Sequence, residues 1–288
     1  MNFNHGYKKQ RILLWLSVVA YTFSLPHAIY IYETITLRWS PEIVGLIPRI
    51  ILLAGSVAYV FYSLRIGLSL RRICFFLPCG IFAVLIIYLE PNPNKHIHIP
   101  EYILMAWLLS DVLHIDYRGA GIYLLVFLCS SFLGVLDEIL QGIHASRFFG
   151  WQDMLLNSSS GLIGILSIMG LREKQTESWD WTYQFNNMRV SLMVVLVGIF
   201  STAVNCYVLF DVQHHRGSWN VYPDWLTIWN IVFEAIAVVA LCRIFRKDTG
   251  KFHDQQITAR LWVAVPLSII MIIHMVIIFC RQAGTTFL

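Results

Sequence analysis

The fold class this sequence predicts is an all-α, polytopic membrane bundle of about nine spanning helices, and three observations predict it. Of the 288 residues, 57% are hydrophobic and only 13% are charged, about half the charged share of a soluble globular protein. The apolar residues fall in runs close to the roughly 20 that a helix needs to cross the hydrocarbon layer, whereas barrel strands need only about 9–11. The basic residues sit in short groups between these runs, as the charges of membrane loops do.

Taken in order, the runs are 11–31, 43–64, 73–90, 101–117, 120–137, 153–170, 189–210, 224–243 and 261–280. The first follows Lys8, Lys9 and Arg11. It is longer than the apolar core of about 7–15 residues of a cleavable signal and lacks a small-x-small cleavage pattern, so it is expected to be a retained span. The fourth and fifth meet at a crowded junction of Asp111, His114, Asp116 and Arg118. No stretch between runs is long enough for a separate soluble domain.

Lys and Arg number 21. With the N-terminus in the cytoplasm, fifteen of them fall on that side and six on the other, so the positive-inside rule places the N-terminus inside and the C-terminus outside. The net charge of +4 is dispersed, and no basic face offers itself to nucleic acid. The six cysteines (Cys74, Cys79, Cys129, Cys206, Cys242 and Cys280) lie in or beside apolar runs without a CxxC pair, which reads as small buried apolar residues rather than a disulfide framework or a zinc site. There is no Walker loop, dinucleotide fingerprint or GxSxG, so neither a nucleotide cofactor nor serine hydrolysis is expected. No other cofactor is indicated.

Three polar stretches interrupt this pattern, and the topology puts all three on the extracytoplasmic side. Asn94-Lys95-His96-Ile97-His98-Ile99-Pro100-Glu101-Tyr102 leads into the fourth run, with Pro100 suited to a first helical turn. Asp137-Glu138-x-x-Gln141 leaves the fifth, and on a continuing helix Gln141 lies within reach of either acid. Adjacent carboxylates at the end of an apolar span are costly unless paired or hydrogen-bonded. Arg147-x5-Asp153-x3-Asn157-x3-Gly161 enters the sixth, where Asp153, Asn157 and Gly161 make one stripe. Ser158, Ser159, Ser160, Gly161 and Gly164 keep that helix slim, so a neighbour can approach closely. Arg147, whose fork binds carboxylates bidentately, is the natural partner of Asp137, Glu138 or Asp153.

Together these pieces, Lys95-x-x-His98-x-x-Glu101-Tyr102 and Asp137-Glu138-x-x-Gln141-x5-Arg147-x5-Asp153-x3-Asn157-x3-Gly161, resemble the VanZ-like membrane proteins. The resemblance covers about residues 73–170, a four-helix core, with two helices before it in 1–72 and three after it in 171–288. The chain departs from the family pattern at Asn94, at Ala145-Ser146 and at Ser158, all outside the charged positions. The resemblance implies a bacterial cell-envelope protein in the inner membrane, in a family named for antibiotic (teicoplanin) resistance.

The residues themselves admit three readings. In the first, the cluster acts on a membrane lipid or lipid-linked envelope precursor. Asp137 and Glu138 then supply acid–base or nucleophilic chemistry, and His98 with Glu101 handles a proton. Lys95 and Arg147 hold an anionic group, with Tyr102, Gln141, Asp153 and Asn157 completing the binding surface. In the second, the same groups bind or translocate an amphiphile or a glycopeptide antibiotic and no bond changes. In the third, the cluster only locks helices together. A metal site is not expected, because His96 and His144 lie outside the family pattern.

Overall fold

The computed structural model describes residues 5–142, 150–172, 179, 189–214, 223–246 and 263–276. Among them every element is helical. In chain order these are α1 (His5–Arg38), the short α2 (Pro41–Val44), α3 (Leu46–Arg65), α4 (Leu70–Leu89), a 3-10 turn (Pro93–Ile97), α5 (His98–Asp116), α6 (Ile122–Gly142), α7 (Trp151–Leu171), α8 (Arg189–His214) and α9 (Asp224–Arg246). A last helix, α10 (Val263–Val276), follows.

All nine apolar runs meet helices, but six of these helices are long and apolar enough to cross a membrane: α3, α4, α6, α7, α8 and α9. The difference from nine lies at three places. α1 extends over 34 residues with a basic start, α10 is described over a shorter length, and α5 carries His98, Glu101, Asp111, His114 and Asp116 along with its apolar residues. His98 and Glu101 lie among neighbouring elements, where such groups can be paired, whereas Asp111 is about half exposed.

The chain divides into two compact units, Met1–Glu138 with Trp151–Asp180, and Ile139–Gly150 with Trp181–Leu288. The first is organised around α5. Ile99, Tyr102, Met105, Ala106, Leu109, Val112 and Leu113 are all buried there, and they occupy more than one side of the helix. α1 and α7 pack against α5, and α4 packs against α7. The outer helices α3 and α4 instead expose Leu53, Phe61, Leu77, Val84 and Tyr88. Contiguous apolar surface of this kind is incompatible with water and suits lipid.

Two turns depend on glycine. Gly67 between α3 and α4, and Gly119 between α5 and α6, have φ of 93° and 91°, a region that costs other residues strain. After the first of these, the side chain of Ser69 accepts the backbone N–H of Arg72 and caps α4.

Cross-helix contacts give the directions of the helices in this unit. Tyr21 of α1 donates to the Glu101 carbonyl at 2.9 Å, while Arg11 pairs with Asp116, so α1 and α5 are antiparallel. Gly164 lies against Ala106 and Ile103, Trp107 donates to Ser167 at 3.0 Å and Arg172 pairs with Asp111, so α5 and α7 run parallel. Cys79 of α4 reaches the Ile163 carbonyl of α7 at 3.5 Å, near the middle of both.

The small residues of α7 allow this packing. A Cβ on Gly161 would sit 2.7 Å from Ser130 Oγ, and one on Gly164 would sit 2.8 Å from Ala106 Cβ and 2.9 Å from the Ile103 carbonyl oxygen. Gly164→Leu is therefore expected to force α5 and α7 apart, at a cost of about 1–3 kcal/mol. The melting temperature of the purified protein in detergent measures it. Gly80→Ala on α4, where an added Cβ meets nothing within 4 Å, should leave that temperature unchanged or slightly raised.

Candidate functional site

The site is assembled at one end of the first unit from the turn before α5, the start of α5, the end of α6 and the start of α7. Local sequence prepares the turn. Asn92 accepts the Asn94 N–H at 3.0 Å, and His96 Nε2 lies 3.0 Å from the carbonyl oxygen of Glu90 at the end of α4. His96 thus ties the 3-10 turn back to the preceding helix. Pro100 sits in the first turn of α5, where its missing N–H leaves no intrahelical bond unmade.

Four polar pairs then connect the elements. Lys95 Nζ stands 2.7 Å from one oxygen of Asp153 and 2.9 Å from the other, joining the turn to α7. Tyr102 donates its hydroxyl to Asp137 Oδ2 at 3.0 Å, joining α5 to α6. Asn157 donates to Glu138 Oε1 at 3.4 Å, joining α7 to α6. His98 Nδ1 lies 3.2 Å from Glu101 Oε2, an ion pair whenever the imidazole is protonated. Glu101 also occupies the first turn of α5, where the helix dipole favours a carboxylate.

Asp137 and Glu138 are 0% and 1% exposed, so their placement is set by their neighbours rather than by water. Consecutive residues on a helix point about 100° apart. Asp137 accordingly meets Tyr102 of α5 while Glu138 meets Asn157 of α7. The two acids thus have different hydrogen-bond partners, while the charges of both act on His98 and on Tyr102.

The spacing expectations can be followed residue by residue. Lys95, His98, Glu101, Tyr102, Asp137, Glu138, Asp153 and Asn157 all belong to this set of contacts. α6 continues without a break through Gln141, which is buried one turn beyond Asp137. Arg147 and His144 lie outside the described residues. Asp153, one of the three acids expected as partners of Arg147, is held by Lys95. Among the described residues no three His, Cys, Asp or Glu side chains gather as metal ligands would.

Sequence reasoning missed the residues that support the site. A Cβ on Gly134 of α6 would lie 3.0 Å from Asn157 Cβ and 3.3 Å from Tyr102 Cε1. This glycine lets α6 close on both the tyrosine and the asparagine. Tyr21, on α1, holds the backbone of Glu101. Neither stands in a pattern that spacing along the chain would single out.

A second polar group lies at the opposite end of α5, where Arg172 pairs with Asp111 and approaches His114 Nδ1 at 2.9 Å, and Arg11 pairs with Asp116. This resolves the crowded junction seen in the sequence. Its acids are neutralised by arginines from α1 and from the end of α7.

Lys95 and Asp153 provide a direct test of the coupling. Lys95→Met leaves a largely buried Asp153 without this cation, and should cost on the order of 1–2 kcal/mol, less than a fully buried pair because Lys95 keeps some solvent. The double variant Lys95→Met with Asp153→Leu should recover much of that loss, and a double-mutant cycle of thermal stabilities in detergent measures the difference. Comparison of the chain with protein-family models, with curated proteins and with solved structures found no match.

Proposed function

We propose that this chain is a VanZ-like, multi-pass protein of the bacterial inner membrane, with a cytoplasmic N-terminus. In this reading the polar cluster faces the extracytoplasmic side and acts on a lipid or lipid-linked envelope substrate. The observation that carries the reading is the acid pair: two adjacent carboxylates buried at the end of an apolar helix and gripped from two different helices. Ionisable groups in such positions are costly, and in membrane proteins they mark substrate and proton sites. The multi-part spacing from Lys95 to Gly161 supports the family, and the Lys/Arg asymmetry supports the orientation.

The roles are assigned from the contacts and, for Arg147, from its place in the family spacing. Glu138, held by an amide, or Asp137, held by a phenol, is the general base or nucleophile toward the substrate. His98 and Glu101 form a second pair through which a proton passes at the entrance of α5. Arg147 supplies the grip on an anionic headgroup or phosphate. Lys95, being engaged by Asp153, shapes the entrance and adds positive potential. Tyr102 orients Asp137 rather than reacting.

One observation favours a different reading. The Lys95–Asp153, Tyr102–Asp137 and Asn157–Glu138 contacts tie α5, α6 and α7 together, which is also what a purely structural lock requires. Variants at Glu138 and Arg147 separate the two. Glu138→Gln preserves shape and is expected to leave the folded yield in membranes unchanged while reducing turnover at least ~100-fold, the usual contribution of a positioned acid or base. The change is read as altered lipid or glycolipid species in the cell envelope. Arg147→Ala should give the same signature. Variants that disappear from the membrane identify the cluster as a lock, and stable variants with an unchanged envelope refute the enzymatic reading.

A further inference from the structure

The end of the first unit opposite the candidate site carries more positive charge than its acids neutralise. α3 ends and α4 begins there: a Cβ on Gly170 of α7 would lie 3.0 Å from Phe75 Cβ of α4, and Tyr59 of α3 donates its hydroxyl to the Arg72 carbonyl at 3.1 Å. Arg11 and Arg172 are taken up by Asp116 and Asp111. Arg65, Arg71, Arg72 and Arg118 enter no ion pair among the described residues. Surplus cations of this kind orient a chain in the membrane. At α4, two further features single out a place for an anion.

The first is how the arginines are held. Arg71 and Arg72 are partly buried. The Arg71 guanidinium lies over the Phe75 ring, 5.8 Å from its centroid, and the charges of Arg71 and Arg172 both act on Tyr123 at the start of α6. Arg72 is fixed through its backbone by Tyr59, while its Nε is buried without an acceptor. Guanidinium donors that no acid of the chain uses match the oxygens of a phosphate.

The second is what lies beyond them. α4 bears an open apolar groove lined by Phe76, Leu77, Gly80, Ile81, Val84 and Tyr88, positions that run along one side of the helix. Phe76 follows Arg72 by one turn on the same side. Its ring stacks on Tyr59 at 4.7 Å, which fixes the charged end of the groove. Gly80 forms the floor, where an added Cβ would meet nothing within 4 Å. α4 is the least buried of the six helices able to span a membrane. From Phe76 to Tyr88 the helix rises about 18 Å, enough for an acyl chain, whose leaflet takes half of a hydrocarbon core about 30 Å thick.

We propose that Arg71, Arg72 and the groove of α4 form a binding site for one anionic phospholipid, with its phosphate on the arginines and an acyl chain along the groove. Any lipid covers apolar surface, but unpaired arginines at one end of it select a headgroup with net negative charge. A zwitterionic headgroup brings its own cation to them. A second copy of the chain packed on α4 in the same orientation would set these arginines against their own counterparts, which like-charge repulsion opposes. The site is separate from the function proposed above and lies at the other end of the unit.

The purified full chain in neutral detergent tests the site, read by native mass spectrometry and by thermal unfolding. Dioleoyl-phosphatidylglycerol should populate a one-lipid complex and raise the melting temperature. Phosphatidylcholine, inorganic phosphate and glycerophosphoglycerol, the headgroup without its chains, should do neither. Arg71→Gln combined with Arg72→Gln should weaken the complex about tenfold or more. Gly80→Leu, which fills the groove and alters no charge, should do the same, and it decides the matter if the double variant does not fold. Equal stabilisation by phosphatidylcholine, or a complex that survives both changes in α4, overturns the site. Stabilisation by inorganic phosphate to the same degree overturns the assignment to a lipid. A complex lost in Arg147→Ala but kept in the α4 variants belongs to the substrate site proposed above and overturns this one. A dimer that Gly80→Leu dissociates gives the groove to a second copy, and overturns it as well.

Discussion

The contact between Tyr102 and Asp137 represents the constraint on which the rest of the first unit depends. Both residues are 0% exposed, and the 3.0 Å bond between them crosses from α5 to α6. In an apolar solvent a buried polar group left without a partner costs far more than a satisfied bond contributes. The helices that carry polar residues are therefore held to the arrangement in which those residues meet. Lys95 with Asp153 and Asn157 with Glu138 extend the same requirement to α7, so the three helices are committed to one register.

That register is reachable only because the helices are slim where they touch. Lipid chains are as apolar as leucine, so close backbone approach and dispersion, rather than escape from water, drive helices together in a membrane. Gly134 makes room for Tyr102 and Asn157, Gly161 for Ser130, and Gly164 for Ala106 and the backbone of Ile103. The glycines and the polar pairs occupy the same interfaces. Close approach brings donors and acceptors to bonding distance, and the bonds in turn select among the close-packed arrangements.

The second unit applies the same rule with different residues. Asn205 and Asn230 exchange amide hydrogen bonds across α8 and α9, and Glu234 lies beside His274 of α10 at 3.3 Å. The charged groups at the far end of α5 belong to a third type, in which Arg11 and Arg172 neutralise Asp116 and Asp111.

The fold class and the composition of the candidate site were legible in the amino-acid order, because both rest on local chemistry. Long apolar runs demand helices in lipid whatever their neighbours are. Adjacent acids, a proline-led helix start and a four-residue stripe announce themselves by spacing. The number of spanning helices was less legible. Hydropathy cannot separate a polar-bearing helix that crosses the membrane, as α5 was expected to, from one that does not. Pairing was decided only by the tertiary structure: that Asp153 takes Lys95, that Asp137 and Glu138 turn to different helices, and that Tyr21 and Gly134 support the site. So was the meeting of Glu234 with His274, 40 residues apart in a chain that gives no local sign of it. Such choices depend on how closely and in which register helices approach. Those are properties of several segments at once, and no single segment encodes them.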